Sequence, residues 1–178
     1  MRELPLKAVR NLYGLVLQDV FVFSGTLKDN ILLGRQEDAT RLAEVLPRSQ
    51  LGDLVGRLPQ GLETQVGERG QKLSAGERQL VAFARMLYGG PEVLLLDEAT
   101  ANIDSETEAR IQSVIRDISH ELTTFTIAHR LSTIREADEI WVMDQGRLIE
   151  RGTHGSLLAQ DGHYAKLVRL QFGEEEAA

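Results

Sequence analysis

The stretch Gln71-Lys72-Leu73-Ser74-Ala75-Gly76-Glu77-Arg78-Gln79, followed by Val93-Leu94-Leu95-Leu96-Asp97-Glu98, decides how this chain folds. Ser74, Ala75 and Gly76 form a small-residue turn ahead of a helical pattern. Ser74 and Glu77 have the spacing of a capping box, in which each side chain takes the other's backbone donor. Leu80, Val81, Phe83, Ala84, Met86 and Leu87 then mark one apolar helix face. Gly89-Gly90-Pro91 stops the helix. The run 93–96 is apolar without alternation, which predicts a parallel strand covered on both faces. It delivers two carboxylates, Asp97 and Glu98, and Asp104 follows after a short loop. A helix start suits an anion, since its first N–H groups are unpaired and its dipole is positive there. A strand ending in Asp-Glu suits Mg²⁺ and an activated water. Together they point to phosphate chemistry.

The 178 residues are enough for one domain with a substantial core. Lysine plus arginine number 20 and aspartate plus glutamate 27, a net charge of −7. That balance argues against a nucleic-acid partner, which selects for a basic face. The chain has no cysteine, so disulfides and thiolate metal sites are excluded. No apolar run approaches the ~18 residues of a membrane helix, and Met1-Arg2-Glu3 does not open a signal peptide. The expectation is a soluble, cytoplasmic chain that meets a membrane only through a partner.

Outward from the centre, Pro5 predicts a short helix within 4–12. Residues 14–17 read as a buried strand that delivers Gln18. A helical turn is expected over 26–33, and Asp38 is expected to cap a helix over 39–46 that ends near Pro47. Ser49 is expected to cap another helix running to Leu58. Residues 26–90 thus form a helical insert between two strands. Ser105 and Glu108 repeat the capping-box spacing. Ile111, Val114, Ile115 and Ile118 mark the helix that follows. Residues 124–128 predict a strand ending at His129, and 132–136 a helical turn or two. Residues 139–143 and 147–150 predict strands joined by Asp144-Gln145-Gly146, a hairpin signal. Helices are expected at 154–159 and 163–170, and residues 173–178 as a frayed acidic tail. Strand alternating with helix means an α/β fold with a mainly parallel sheet. Ligands of such sheets sit beyond the strand carboxyl ends, where Gln18, Asp97, Glu98 and His129 fall.

On these residues the chain resembles the nucleotide-binding domain of an ATP-binding cassette (ABC) transporter. Residues 73–77 resemble the signature motif Leu-Ser-Gly-Gly-Gln, with departures at Ala75 and Glu77. Residues 93–97 resemble the Walker B strand, with Glu98 in the catalytic glutamate's place. Residues 101–104 resemble the D-loop, Gln18 the Q-loop and His129 the H-loop. Residues 64–70 resemble the X-loop of the exporter subclass. The resemblance implies a P-loop NTPase-like ABC ATPase fold, one domain over 1–178 with a helical subdomain at 26–90. No glycine here is followed by lysine, so the phosphate loop G-x-x-x-x-G-K-[ST] is absent, and the chain resembles the later part of a cassette.

The resemblance also implies roles. Asp97 and Gln18 would attend Mg²⁺, Glu98 would activate water, and His129 would position the γ-phosphate. Ser74, Ala75, Gly76, Glu77 and Asp104 would meet ATP held by a second cassette. Gln18 and the Glu68 loop would meet an exporter's transmembrane domain, from the cytoplasmic face. The leading reading is the motor domain of an exporter, inactive as residues 1–178 alone. A second is a non-catalytic remnant that lends its signature to a partner. A third is the C-terminal lobe of an SMC-type DNA ATPase, disfavoured by the acidic charge and the lack of an opening coiled coil.

Overall fold

The computed structural model describes residues 5–97, 103–128 and 131–173, which form two compact units divided between Ile127 and Ala128. The first unit contains a three-stranded parallel sheet in the order β1 (Tyr13–Val16), β2 (Val93–Asp97), β3 (Thr123–Ile127). Val16 pairs with Leu96, and Asp97 with Ile127. Helix α1 (Leu6–Leu12) precedes β1. Between β1 and β2 lie α2 (Leu27–Leu32), α3 (Ala39–Arg48), α4 (Gly52–Arg57), two 3₁₀ turns and the long α5 (Ala75–Gly89). Helix α6 (Ser105–Ser119) joins β2 to β3.

One core serves the whole unit. Phe83, Leu80 and Val81 of α5 are buried with Leu27 and Ile31 of α2, Val16 and Leu94 of the sheet, and Ile111 and Ile118 of α6. On α6 the 3.6-residue spacing of Ile111, Val114, Ile115 and Ile118 reports a buried stripe, whereas α5 departs from the expected single apolar face: it is buried on nearly every side, with residues 79–84 and 86–88 all covered. Gly14 shows how closely α5 lies on the sheet. A Cβ there would overlap Met86 and sit 2.8 Å from Pro91 Cγ.

The sheet departs from the expectation of strands buried on both faces. Gly14, Val16, Leu94 and Leu96 are buried, but Leu15 and Ile127 on the opposite face are 57% and 63% exposed. Successive side chains of a strand alternate between faces. Only the face toward α5 carries the core, so β1 and β2 alternate in burial although their sequences do not alternate in polarity. Leu17 lies past the end of β1 and is half exposed.

Three helix boundaries also differ. Pro47 does not end α3; it sits in the last turn, which runs to Arg48. Ser49 caps no helix start. Its buried hydroxyl donates back to the Val45 and Leu46 carbonyls, so it closes the end of α3, and α4 begins at Gly52 without a side-chain cap. At α6 the cap is Asp104, whose carboxylate accepts from the Thr107 amide, and Ser105 is already inside the helix. The spacing from Asp104 to Thr107 equals that from Ser105 to Glu108 displaced by one position, and the longer reach of the carboxylate takes the amide.

The second unit holds α7 (Leu131–Arg135), a hairpin of β4 (Ile140–Asp144) and β5 (Arg147–Gly152), then α8 (His154–Ala159) and α9 (His163–Phe172). Gln145 and Gly146 both take positive φ, as a two-residue hairpin turn with the sheet's own twist demands. Val142, Leu157, Tyr164 and Val168 form its core. Glu150 of β5 accepts the His163 and Tyr164 amides, capping α9 from across the unit. These two amides hold its carboxyl below the ordinary glutamate range.

Candidate functional site

Two of the expected residues fall at the carboxyl ends of adjacent parallel strands: Asp97 is the last residue of β2, and Gln18 lies in a bend two residues past the end of β1. The alternation places Asp97 on the open face with Leu95 and Ile127, away from the core. Glu98 and His129, the expected base and phosphate contact, lie outside the described residues, as do Ala101 and Asn102 of the D-loop stretch. Residues 174–178 of the expected tail do too.

The signature turn has the geometry its residues imply. Ser74 Oγ accepts from the Glu77 amide at 3.1 Å, and Glu77 Oε2 accepts from the Ser74 amide at 2.8 Å. The reciprocal pair fixes the turn. It leaves the Ser74 hydroxyl proton free to donate, since a hydroxyl both accepts and donates. The amides of Ala75 and Gly76 have no acceptor among the described residues. Glu77 brings a negative charge where a glutamine would be neutral, and Arg57 pairs with it at 3.3 Å. The turn therefore offers a hydroxyl, two amides and a compensated carboxylate: a set suited to an anion. Gly76 is buried, and a Cβ there would overlap Thr107 at the start of α6.

Asp104 Oδ1 accepts the Thr107 amide at 2.9 Å. That bond holds its carboxyl below the ordinary aspartate range. Asp104 is thus a settled anion at the head of α6.

The segment after Gln18 is held by two polar residues that belong to no motif, Asn30 and Arg85. Asn30, 1% exposed, accepts from the Phe23 amide at 2.8 Å and donates to the Phe23 and Thr26 carbonyls at 2.9 and 3.0 Å. Arg85 of α5 donates to the carbonyls of Phe21 and Asn30, each at 3.0 Å. Burial, with Arg35 nearby, lowers the Arg85 pKa. The one available signal was polarity out of place: Asn30 and Arg85 interrupt apolar faces. The Glu68 loop is anchored to the same segment. Val66 donates to the Gly25 carbonyl at 3.0 Å, and a Cβ on Gly70 would meet Val22 at 2.9 Å. Glu68 itself is exposed.

A surface depression lined by Arg35, Glu37, Asp38, Arg41, Tyr88 and Gly89 shares none of these motif residues. Among the described residues no three aspartate, glutamate or histidine side chains gather into a metal cage. Mg²⁺ asks for less: it keeps waters and takes one or two carboxylates together with phosphate oxygens. Asp97, at the carboxyl end of the central strand, has a carboxylate suited to that role.

The ABC transporter family profile matches residues 1–101. The chain belongs to the ABC transporter family. It is 47% identical over 97% of its length to an uncharacterized ABC transporter ATP-binding protein of Bacillus subtilis (strain 168). It is 45% identical over 98% of its length to an ATP-dependent lipid A-core flippase of Paraburkholderia xenovorans (strain LB400). In each case the match spans 29% of the relative. Its fold matches the solved structure of a bacterial Atm1-family ABC exporter with ATP bound, with a TM-score of 0.83 and 45% identity, over 93% of this chain and 29% of that one. The expected ABC exporter fold is thereby shown. Among the described residues no helix of this ABC family member is long and apolar enough to cross a membrane.

Proposed function

We propose that this chain is the signature-bearing and catalytic part of an ABC exporter's ATP-hydrolysing motor, working as a dimer of cassettes on the cytoplasmic face of a membrane. The observation that carries the reading is the union of two features in one compact unit. Asp97 ends the central strand β2 and Gln18 follows the adjacent parallel strand β1 by two residues, and the capping-box turn of Ser74 and Glu77 offers donors suited to an anion. The relatives named as ATP-dependent flippases support the exporter class over a DNA ATPase.

ATP would supply the bond to be broken, with Mg²⁺ neutralising charge on its phosphates. Asp97 would hold the ion through its hydration shell, and Gln18 would sit beside it. Glu98 would orient the attacking water and accept its proton. His129 would hold the γ-phosphate in line. Ser74, Ala75, Gly76 and Glu77 would close on the nucleotide of the second cassette through the free hydroxyl and amides, with Asp104 alongside. The loop of Glu68, tied to the segment after Gln18, would meet the transmembrane domain.

The test is phosphate release at saturating Mg-ATP. Residues 1–178 alone contain no glycine-lysine pair to cradle β- and γ-phosphates and should show no turnover. A longer protein carrying G-x-x-x-x-G-K-[ST] upstream should turn over. In it, Glu98→Gln should lower the rate by ~10²–10⁴-fold while ATP still binds. His129→Ala should slow it through lost positioning. Full activity of Glu98→Gln would overturn the assignment.

A further inference from the structure

The starts of α5 and α6 meet at one residue. Gly76 is buried in the first turn of α5, and an added Cβ would overlap Thr107 Cγ2 and lie 3.2 Å from Ile103 Cγ2. The amide of the same Thr107 donates to Asp104 Oδ1. Thr107 thus rests its methyl on the signature turn and gives its N–H to the carboxylate that caps α6. Capping alone does not ask for this residue, because any non-proline amide at that position would serve. A glycine inside a helix is costly relative to alanine, and close approach of a neighbour is what requires it at position 76. The signature turn is itself locked by the paired bonds of Ser74 and Glu77. A displacement of Thr107 therefore presses on a rigid partner at one end and on Asp104 at the other.

We propose that Thr107 is a positioning residue that keeps the Asp104 carboxylate in fixed register with the signature turn, so that both present themselves to a second cassette's nucleotide as one unit. What the two groups face rests on the proposed function; the coupling itself does not.

The experiment is hydrogen exchange, read by mass spectrometry on the full chain without nucleotide, in peptides spanning 73–79 and 103–109. Thr107→Ala removes the methyl but keeps the amide. Exchange should quicken about fourfold in both peptides, since one packed methyl group is at stake between the two turns. Thr107→Val keeps the methyl and should stay within about twofold of the original chain. Gly76→Ala should loosen both peptides through overlap. Combined with Thr107→Ser, which vacates the space, exchange should return to within about threefold of the original. Loosening confined to 103–109, or a double variant no better than Gly76→Ala alone, overturns the proposal. If Gly76→Ala does not fold, the contrast between Thr107→Ala and Thr107→Val decides by itself. In the nucleotide-turnover assay of the longer protein, Thr107→Ala should lower kcat with KM held, and Thr107→Val should restore it. Equal changes in kcat and KM would overturn positioning. Absence of any turnover by the unsubstituted protein would instead refute the ATPase reading, with the exchange result standing or falling on its own.

Discussion

Replacing Asn30 by leucine tests what holds the segment after Gln18. The side chain is buried and joins three backbone groups: the Phe23 amide, the Phe23 carbonyl and the Thr26 carbonyl. Leucine has the same branching, with bulkier methyl groups where asparagine has oxygen and nitrogen, so no cavity opens. The Thr26 carbonyl keeps the Asn30 amide at 3.2 Å as a partner, being the N-cap of α2. The two Phe23 groups lose theirs. Each unsatisfied, partly buried backbone group costs about 1–3 kcal/mol, and the loop's access to water places the pair at about 2–4 kcal/mol. For a chain of this size each kcal/mol shifts Tm by about 2–4 °C, so the melt should fall by about 4–16 °C. Asn30→Asp keeps the acceptor for the Phe23 amide but turns a carboxylate toward two carbonyls, with Arg85 at 3.4 Å as partial compensation. It should melt between the other two. Thermal denaturation followed by circular dichroism reads all three. A leucine variant within about 2 °C of the original would show that these bonds do not hold the segment.

Two further outcomes follow from the geometry. Gly14→Ala places a methyl on Met86 and Pro91 and should destabilise the chain by about 1–3 kcal/mol in urea unfolding, with Met86→Ala in the same chain recovering part of the loss; no change in the single variant would contradict the close packing of α5 on β1. Asp104 has a folded pKa below its unfolded value, so its contribution is present above the unfolded pKa of about 3.9 and lost as pH falls through the folded one. Asp104→Asn keeps the cap and should flatten the acid limb of a pH-stability curve below about pH 4, while leaving pH 7 little changed; an unaltered acid limb would remove the role given to that carboxylate.

What could be read in advance depended on distance along the chain. The capping box of Ser74 and Glu77 and the buried stripe Ile111, Val114, Ile115 and Ile118 are local patterns, and the structure has both. The hairpin at Gln145 and Gly146 is local as well. Ser49 departs from the capping pattern because a serine can bond backward to a carbonyl as well as forward to an amide, and only the surrounding core decides which. The one-sided burial of β1 and β2 was invisible, since an apolar run does not say whether both faces are covered. Arg85 and Asn30 meet across 55 positions of sequence, and Gly76 and Thr107 across 31, separations over which no periodicity carries information. Of the candidate site, the place of Asp97 at the end of β2 was legible from the apolar run before it, whereas β1 stops at Val16, two residues short of Gln18.

Arg85 gives α5 a mechanical character. It stands eleven positions beyond Ser74 on one unbroken helix, about 16 Å along the axis at 1.5 Å per residue. At one end of this rod is the locked turn of Ser74 and Glu77; near the other, a single guanidinium grips the Phe21 and Asn30 carbonyls. An α-helix of this length tilts far more readily than it stretches. The helix therefore fixes the separation, along its axis, between the segment after Gln18 and the turn that carries the Ser74 hydroxyl.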